Sequence, residues 1–324
     1  MKRRLFARNT LALLGGGRGA LIALVVVFCL AAARYEVFLL PENLVNVLRQ
    51  NSMLGLVALG MTFVMLTGGI DLSAGALVAV AGIAAAFLSH YGAGVAALGA
   101  IASTCLMGVT NGVLITRGRI PPFIATLCMM IGARGVALAV TAEEAVRIDR
   151  GAHGFIWFGR GHLGPIPAPV VAFAAACAVS WVILMHTSFG RRVYAIGDNA
   201  EAARAMGSSD RSVLIPVYAI SGALAGMAGV ILASRLGMGH PVAGTGWELD
   251  AIAAVVVGGT LLTGGSGGVG STVIGVLLLG LLFNVFNLEG TISSWWQWVL
   301  RGLFLLVVAV LQRVGVSREP EYYR

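Results

Sequence analysis

Lysine is almost absent. The 22 basic residues are Lys2 and twenty-one arginines, so no position after the second can act as a nucleotide-loop lysine, a Schiff-base lysine or a lysine base. Charge of either sign is scarce as well: Asp, Glu, Lys and Arg make up 11% of the chain, against roughly 25% in soluble domains. The five histidines, His90, His153, His162, His186 and His240, are scattered and form no HExxH pair. Cys29, Cys105, Cys128 and Cys177 show no metal-ligand spacing and read as small hydrophobes within apolar segments. No hydrolase or transferase constellation is present. Catalysis, a bound metal and a cofactor are therefore not expected within this chain.

What is abundant is apolar sequence, at 58% hydrophobic with a mean hydropathy of +0.90. The fold class expected is an all-α polytopic membrane protein. A span needs about 20 apolar residues, and ten candidates fall at approximately 19–38, 52–70, 72–89, 93–115, 123–142, 167–185, 213–234, 249–264, 268–288 and 295–312. The first is interrupted by Arg34, and the eighth is short and rich in glycine. With a cytoplasmic N-terminus, 14 basic residues fall inside and 6 outside, so the positive-inside rule puts both termini and the stretch 186–212 in the cytoplasm. The division expected is a tail 1–18, one transmembrane domain 19–312 and a tail 313–324. The N-terminus imitates a signal peptide, but the many spans after it favour an uncleaved first helix. The arginines mostly flank apolar runs, so the net charge of +8 points to a lipid bilayer and not to nucleic acid.

The polar stretch His186 to Arg211 organises the rest. Asp198 and Asn199 can cap a short helix running through Met206, with Glu201 three residues after Asp198 as in a capping box and Gly207 as the stop. The body of that helix, Ala200 to Met206, is nearly all Ala and Met on one side, a smooth surface for another protein's groove. A solvated helix between two spans is the plain alternative. The outside loop 142–166, with Trp157 and Phe158, reads as a solvated loop with an interfacial anchor. Trp295, Trp296 and Trp298 read as an aromatic belt or, less readily, as a sugar-stacking surface.

Polar residues inside apolar runs are the other candidates. Asp71, at the edge of a span, costs several kcal/mol unless it is paired or wet. It can cap the helix starting at Leu72, pair with Arg134, or carry a proton. Arg134 and Arg301 lie within spans, where arginine faces the bundle interior or a watery path. Asn111, Tyr218, Ser221, Asn284 and Asn287 can line a hydroxyl-binding route or tie helices together.

Gly265 to Gly270 spells GxGxxG, but it joins two spans and lacks the strand and helix of a dinucleotide site. It reads as a tight turn. Leu66-Thr67-Gly68-Gly69 is echoed in Leu262-Thr263-Gly264-Gly265, a hint of the paired interrupted segments of transporter repeats.

Four ordered blocks carry a family resemblance: GMTFVMLTGGIDLSAGALVAVAG (60–82), IPPFIATLCMMIGARG (120–135), VYAIGDNAEAARAMG (193–207) and AIAAVVVGGTLLTGGSGGVGSTVIG (251–275). Together they resemble permease subunits of bacterial ABC importers for monosaccharides, the ribose, xylose and galactose group. Within that group AGTGWELDAIA (243–253) and LEGTISSWW (288–296) resemble a galactofuranose-importer permease. The resemblance implies that Glu201, Ala202, Ala203 and Gly207 belong to an EAA-and-glycine coupling motif that docks in a separate ATP-binding subunit. It also implies alternating access, a second permease copy or paralogue, a periplasmic sugar-binding protein and residence in the bacterial inner membrane. The competing class is a proton-coupled sugar transporter with Asp71 as its carrier.

Overall fold

A computed structural model describes residues 17–306 apart from 150, 153, 291, 292, 294, 297, 298, 301, 304 and 305. The expected tenth span, 295–312, and Arg301 therefore lie largely or wholly outside the described residues.

Among the described residues seven helices are long and apolar enough to cross a membrane: α2 (Pro41–Leu66), α3 (Ala74–Leu88, continued by a 3-10 turn to Tyr91), α4 (Ala93–Thr116), α5 (Pro122–Thr141), α7 (Ala168–His186), α10 (Asp210–Leu236) and α12 (Val269–Glu289). Ahead of them α1 (Gly17–Arg34) is a shorter apolar helix. The remaining helices are α6 (Trp157–Arg160), α8 (Ser188–Asp198), α9 (Ala200–Ala205) and α11 (Trp247–Gly258). Prolines open α2 and α5 and sit in the first turn of α7, where a missing N–H costs nothing. Left-handed glycines, Gly237 and Gly290, close α10 and α12.

Several expected boundaries are corrected. The span placed at 52–70 starts eleven residues earlier, at Pro41, and stops at Leu66. The helix expected from Leu72 begins at Ala74. The eighth span, placed at 249–264, is a 12-residue helix ending at Gly258. At 1.5 Å per residue it is about 18 Å long, short of the roughly 30 Å hydrocarbon core. Gly259 takes φ 107° and the chain then runs without helix to Gly268. Four two-residue strands were not anticipated: β1 (Val146–Arg147) pairs antiparallel with β4 (Met238–Gly239), and β2 (His162–Leu163) with β3 (Ile166–Pro167).

α2 is the axis. Every residue from Asn51 to Leu66 is buried, as expected of a helix that is apolar all round, and α10, α11, α12 and α7 pack about it. The most extensive helix pair is α4 with α10, and both carry GxxxG: Gly108 with Gly112, and Gly222 with Gly226. A β-carbon on Gly108 would overlap the Tyr218 carbonyl oxygen, and one on Gly222 would overlap that of Thr104. Only glycine lets the two backbones approach so closely, which is how helices associate where lipid removes the hydrophobic drive.

The connections collect at two ends of the bundle. At one end lie the α2–α3 and α11–α12 turns with α8 and α9. At the other, residues 142–167 fold over the helix ends and are not a free loop. Phe155 is fully buried, Ser234 Oγ donates to its carbonyl at 2.6 Å, and Gly159 N–H donates to Ser234 Oγ at 2.7 Å.

Candidate functional site

Three features carry chemistry. The first is a polar cavity of about 570 Å³ between the N-terminal half of α2, the end of α10, the start of α11 and the C-terminal half of α12, within the 300–1,000 Å³ usual for small-molecule sites. Asn43, Asn46 and Gln50 stand at i, i+3 and i+7 on α2, so one helix face brings three amides to it. Asn284 and Asn287, in the last two turns of α12, reach it from the opposite side. Asn43 and Asn284 exchange amide hydrogen bonds at 2.8 and 3.3 Å, and Asn51 donates to the Val47 carbonyl at 2.7 Å. Trp247, Asp250 and Arg235 complete the wall. Of the residues singled out from sequence, Asn284 and Asn287 are the two placed here. The amides of α2, Trp247, Asp250 and Arg235 were missed. The spacing of Asn43, Asn46 and Gln50 is the signal that could have found them, but the apolar window opens only at Ser52 and leaves all three outside the span.

The second feature is Asp71, 0% exposed, in the non-helical segment between α2 and α3. Its Oδ1 accepts from Ser73 N–H at 3.0 Å and Ser73 Oγ at 2.5 Å, and its Oδ2 accepts from Ser221 Oγ at 2.7 Å. Asn111 Nδ2 donates in turn to Ser73 Oγ at 3.0 Å. The carboxylate thus ties the α2–α3 turn to α10 and, through Ser73, to α4. The capping expectation is corrected: the helix starts at Ala74 with Ser73 at its N-cap and no side-chain cap, and Asp71 instead accepts from the N-cap residue Ser73 itself. Tyr218 is buried beside the cluster, where a β-carbon on Gly69 would come within 2.7 Å of its hydroxyl. Asn111, Tyr218 and Ser221 are therefore gathered about Asp71 and do not line the cavity.

The Asp71–Arg134 pair is not formed. Arg134 Nη1 donates to the carbonyls of Pro241 and Ala243 at 2.6 and 2.8 Å, holding the segment that leads into α11. The acid whose field reaches its guanidinium is Glu248.

The third feature is the stretch 187–210. Residues 188–198, read from sequence as loop, form helix α8. Thr187 caps it, its Oγ1 accepting from Gly190 N–H at 3.1 Å. Asp198 is the last residue of α8 and does not cap α9. Asn199 alone does, its Oδ1 accepting from Glu201 and Ala202 N–H, both at 3.0 Å. α9 is six residues long and closes at Met206, with Gly207 at φ 88°. Glu201, Ala202 and Met206 are exposed, whereas Ala203 is buried against the bundle.

α8 rests on both glycine turns. A β-carbon on Gly197 would overlap the Leu66 carbonyl oxygen and the Gly265 nitrogen. Tyr194 Oη donates to the Gly267 carbonyl at 3.0 Å, and burial raises the Tyr194 phenol above its ordinary value. The two Leu-Thr-Gly-Gly motifs thus meet under one helix, and the GxGxxG stretch runs from the turn after α11 into the first two residues of α12.

The family described as Branched-chain amino acid transport system / permease component matches residues 43–309. The ribose import permease protein RbsC of Bacillus subtilis (strain 168) is 42% identical over 297 residues, covering 91% of this chain and 92% of that one. RbsC of Escherichia coli (strain K12) is 41% identical over 296 residues, covering 90% and 92%. The L-arabinose ABC transporter permease protein AraH of Azospirillum brasilense is 32% identical over 297 residues, covering 91% and 87%. No solved structure matches the chain.

Proposed function

The chain belongs to the family of branched-chain amino acid transport system permease components, and on that premise we propose that it is the membrane-spanning subunit of an ATP-driven importer of a monosaccharide in the bacterial inner membrane. The observation that carries the reading is the match, over nine-tenths of the chain, to permeases named for ribose and L-arabinose. The narrower resemblance of residues 243–253 and 288–296 to a galactofuranose-importer permease makes that sugar a candidate beside the two pentoses.

In this reading α1, the half-length α11 with its glycine turn, and the segment 295–312 complete ten spans with both termini in the cytoplasm. α8 and α9 are cytoplasmic, and α9 is the coupling helix. Asp198 ends the helix before it, Asn199 caps it, Glu201 and Ala202 face outward toward the ATP-binding subunit, Ala203 seats it on the bundle and Gly207 turns the chain away. ATP hydrolysis resides in that separate subunit. The second permease is another copy or a paralogue, and a periplasmic sugar-binding protein delivers to the end covered by 142–167. The cavity at that end is the entrance to the path. Motion of α9 reaches both glycine turns through Gly197 and Tyr194 and supplies alternating access, which requires only that the partners bind the two states unequally.

The test is uptake into proteoliposomes holding this chain, any second permease, the ATPase and the binding protein. Uptake that requires internal ATP and ignores a protonophore supports the importer. Uptake by this chain alone, abolished by a protonophore, overturns it in favour of proton coupling.

A further inference from the structure

The cavity at the α2–α12 end is not shaped as a plain conduit. Asn43 and Asn284 satisfy each other. The side chain of Asn51 sits in the notch left by Gly280, where a β-carbon would overlap its amide. Asn46 and Gln50 differ: both are exposed to the cavity, and no protein partner takes their amides among the described residues. An amide offers an acceptor and two donors in one plane, so it can meet a sugar hydroxyl in either role. One turn apart on the same face, the two can hold neighbouring hydroxyls. Trp247 lines the same space and is partly buried against the core, and an indole has the flat apolar surface that a sugar's C–H face needs.

A branched-chain amino acid, the substrate class in the family's description, asks for something else. It needs paired charges for its zwitterion and an apolar socket for its side chain. Here the α2 wall offers neutral amides, and the cavity's two charged residues, Arg235 and Asp250, stand apart from it, at the end of α10 and the start of α11.

We propose that this cavity is a binding site of the permease itself for a neutral monosaccharide, with Asn46 and Gln50 taking hydroxyls and Trp247 taking the ring face. The site rests on the importer reading above and deepens it: the membrane subunit discriminates among sugars in addition to the protein that delivers them. The fixed pair Asn43–Asn284 ties α2 to α12, so the wall bearing Asn46 and Gln50 keeps its distance from the α12 wall only while those helices stay in register.

The experiment uses the assembled permease–ATPase complex in detergent, without the binding protein, and reads tryptophan fluorescence on titration with D-ribose, L-arabinose and L-leucine. The expected result is a saturable change with a pentose that is lost in Trp247→Phe. In the double variant Asn46→Leu/Gln50→Leu binding weakens by about tenfold, the loss that goes with one or two hydrogen bonds. No pentose response in the wild type, or an undiminished one in the double variant, overturns the site. A saturable response to L-leucine alone overturns its chemical class. Both substitutions lie on an exposed face, and single variants Asn46→Ala and Gln50→Ala, measured the same way, cover failure of the double variant to assemble. ATP-driven sugar uptake by the wild-type complex is scored in parallel. A complex that imports a pentose without binding it here sinks this inference alone, and one that imports no sugar sinks the importer reading.

Discussion

The backbone N–H of Gly265 donates to the carbonyl oxygen of Leu66 at 3.0 Å, so the two Leu-Thr-Gly-Gly turns touch beneath α8. Gly197 covers that bond. Replacing Gly197 with Ala forces a β-carbon onto the Leu66 carbonyl, and overpacking of this kind costs about 1–3 kcal/mol. The expected outcome is a lower unfolding temperature in detergent together with loss of most ATP-driven uptake. Gly207→Ala is the control for a purely conformational cost, since φ there is 88° but no atom lies within 4 Å of the added carbon. If both variants behave alike, contact at Gly197 is not what transmits motion.

Asn199 is the sole side-chain cap of α9. Asn199→Ala should cost about 1 kcal/mol of local helix stability, and Asn199→Asp should retain the cap. Measured as sugar imported per ATP hydrolysed, the alanine variant should fall below the aspartate variant. Glu201→Arg should leave the protein inserted but uncouple it. Normal ATP-driven uptake by that variant would sink the docking assignment.

For Asp71 the partners set the expectation. Asn keeps an acceptor for Ser73, and the Ser221 hydroxyl can reverse to accept from the new amide. Leu leaves the Ser73 and Ser221 donors buried without acceptors, at about 1–3 kcal/mol each. Asp71→Asn should therefore unfold close to the wild-type temperature and still import on ATP, whereas Asp71→Leu should be strongly destabilised. Because Asn carries no titrating proton, complete loss of transport in a well-folded Asp71→Asn protein would instead favour the proton-carrier role.

Arg134 acts as a clip on residues 240–246. Arg134→Ala removes two hydrogen bonds from a charged donor, each worth about 1.5–3 kcal/mol, and amide hydrogen exchange at 242–247 should quicken. Arg134→Lys, without the planar fork, should recover only part of the protection. Exchange unchanged in both variants would show that α11 holds that segment unaided.

Most of the helical plan was legible because lipid demands long apolar runs, and hydropathy reports those directly. Its misses have the same cause. The first turns of α2 carry Asn43, Asn46 and Gln50, so an apolar window starts the helix too late and discards the amides that face the cavity. α8 has polar and apolar sides, and its two adjacent arginines, Arg191 and Arg192, make it read as loop. Asn284 and Asn287, which line the cavity, stood out in the sequence because polarity inside an apolar run is conspicuous. The partner of Asp71 was not readable: Ser73 is two residues away, but Ser221 is brought up only by the close crossing of α2 and α10 at Gly60, where a β-carbon would approach the Ser221 backbone to 2.9 Å.

Synthesis delivers α4 to the bilayer well before α10, because α5, α7, α8 and α9 are translated between them. Until α10 arrives, the groove of Gly108 and Gly112 lies against acyl chains that cannot fill it. Substitutions in that seam therefore act on how many chains complete assembly and escape the quality-control proteases. The molecules that do assemble should turn over at close to the ordinary rate.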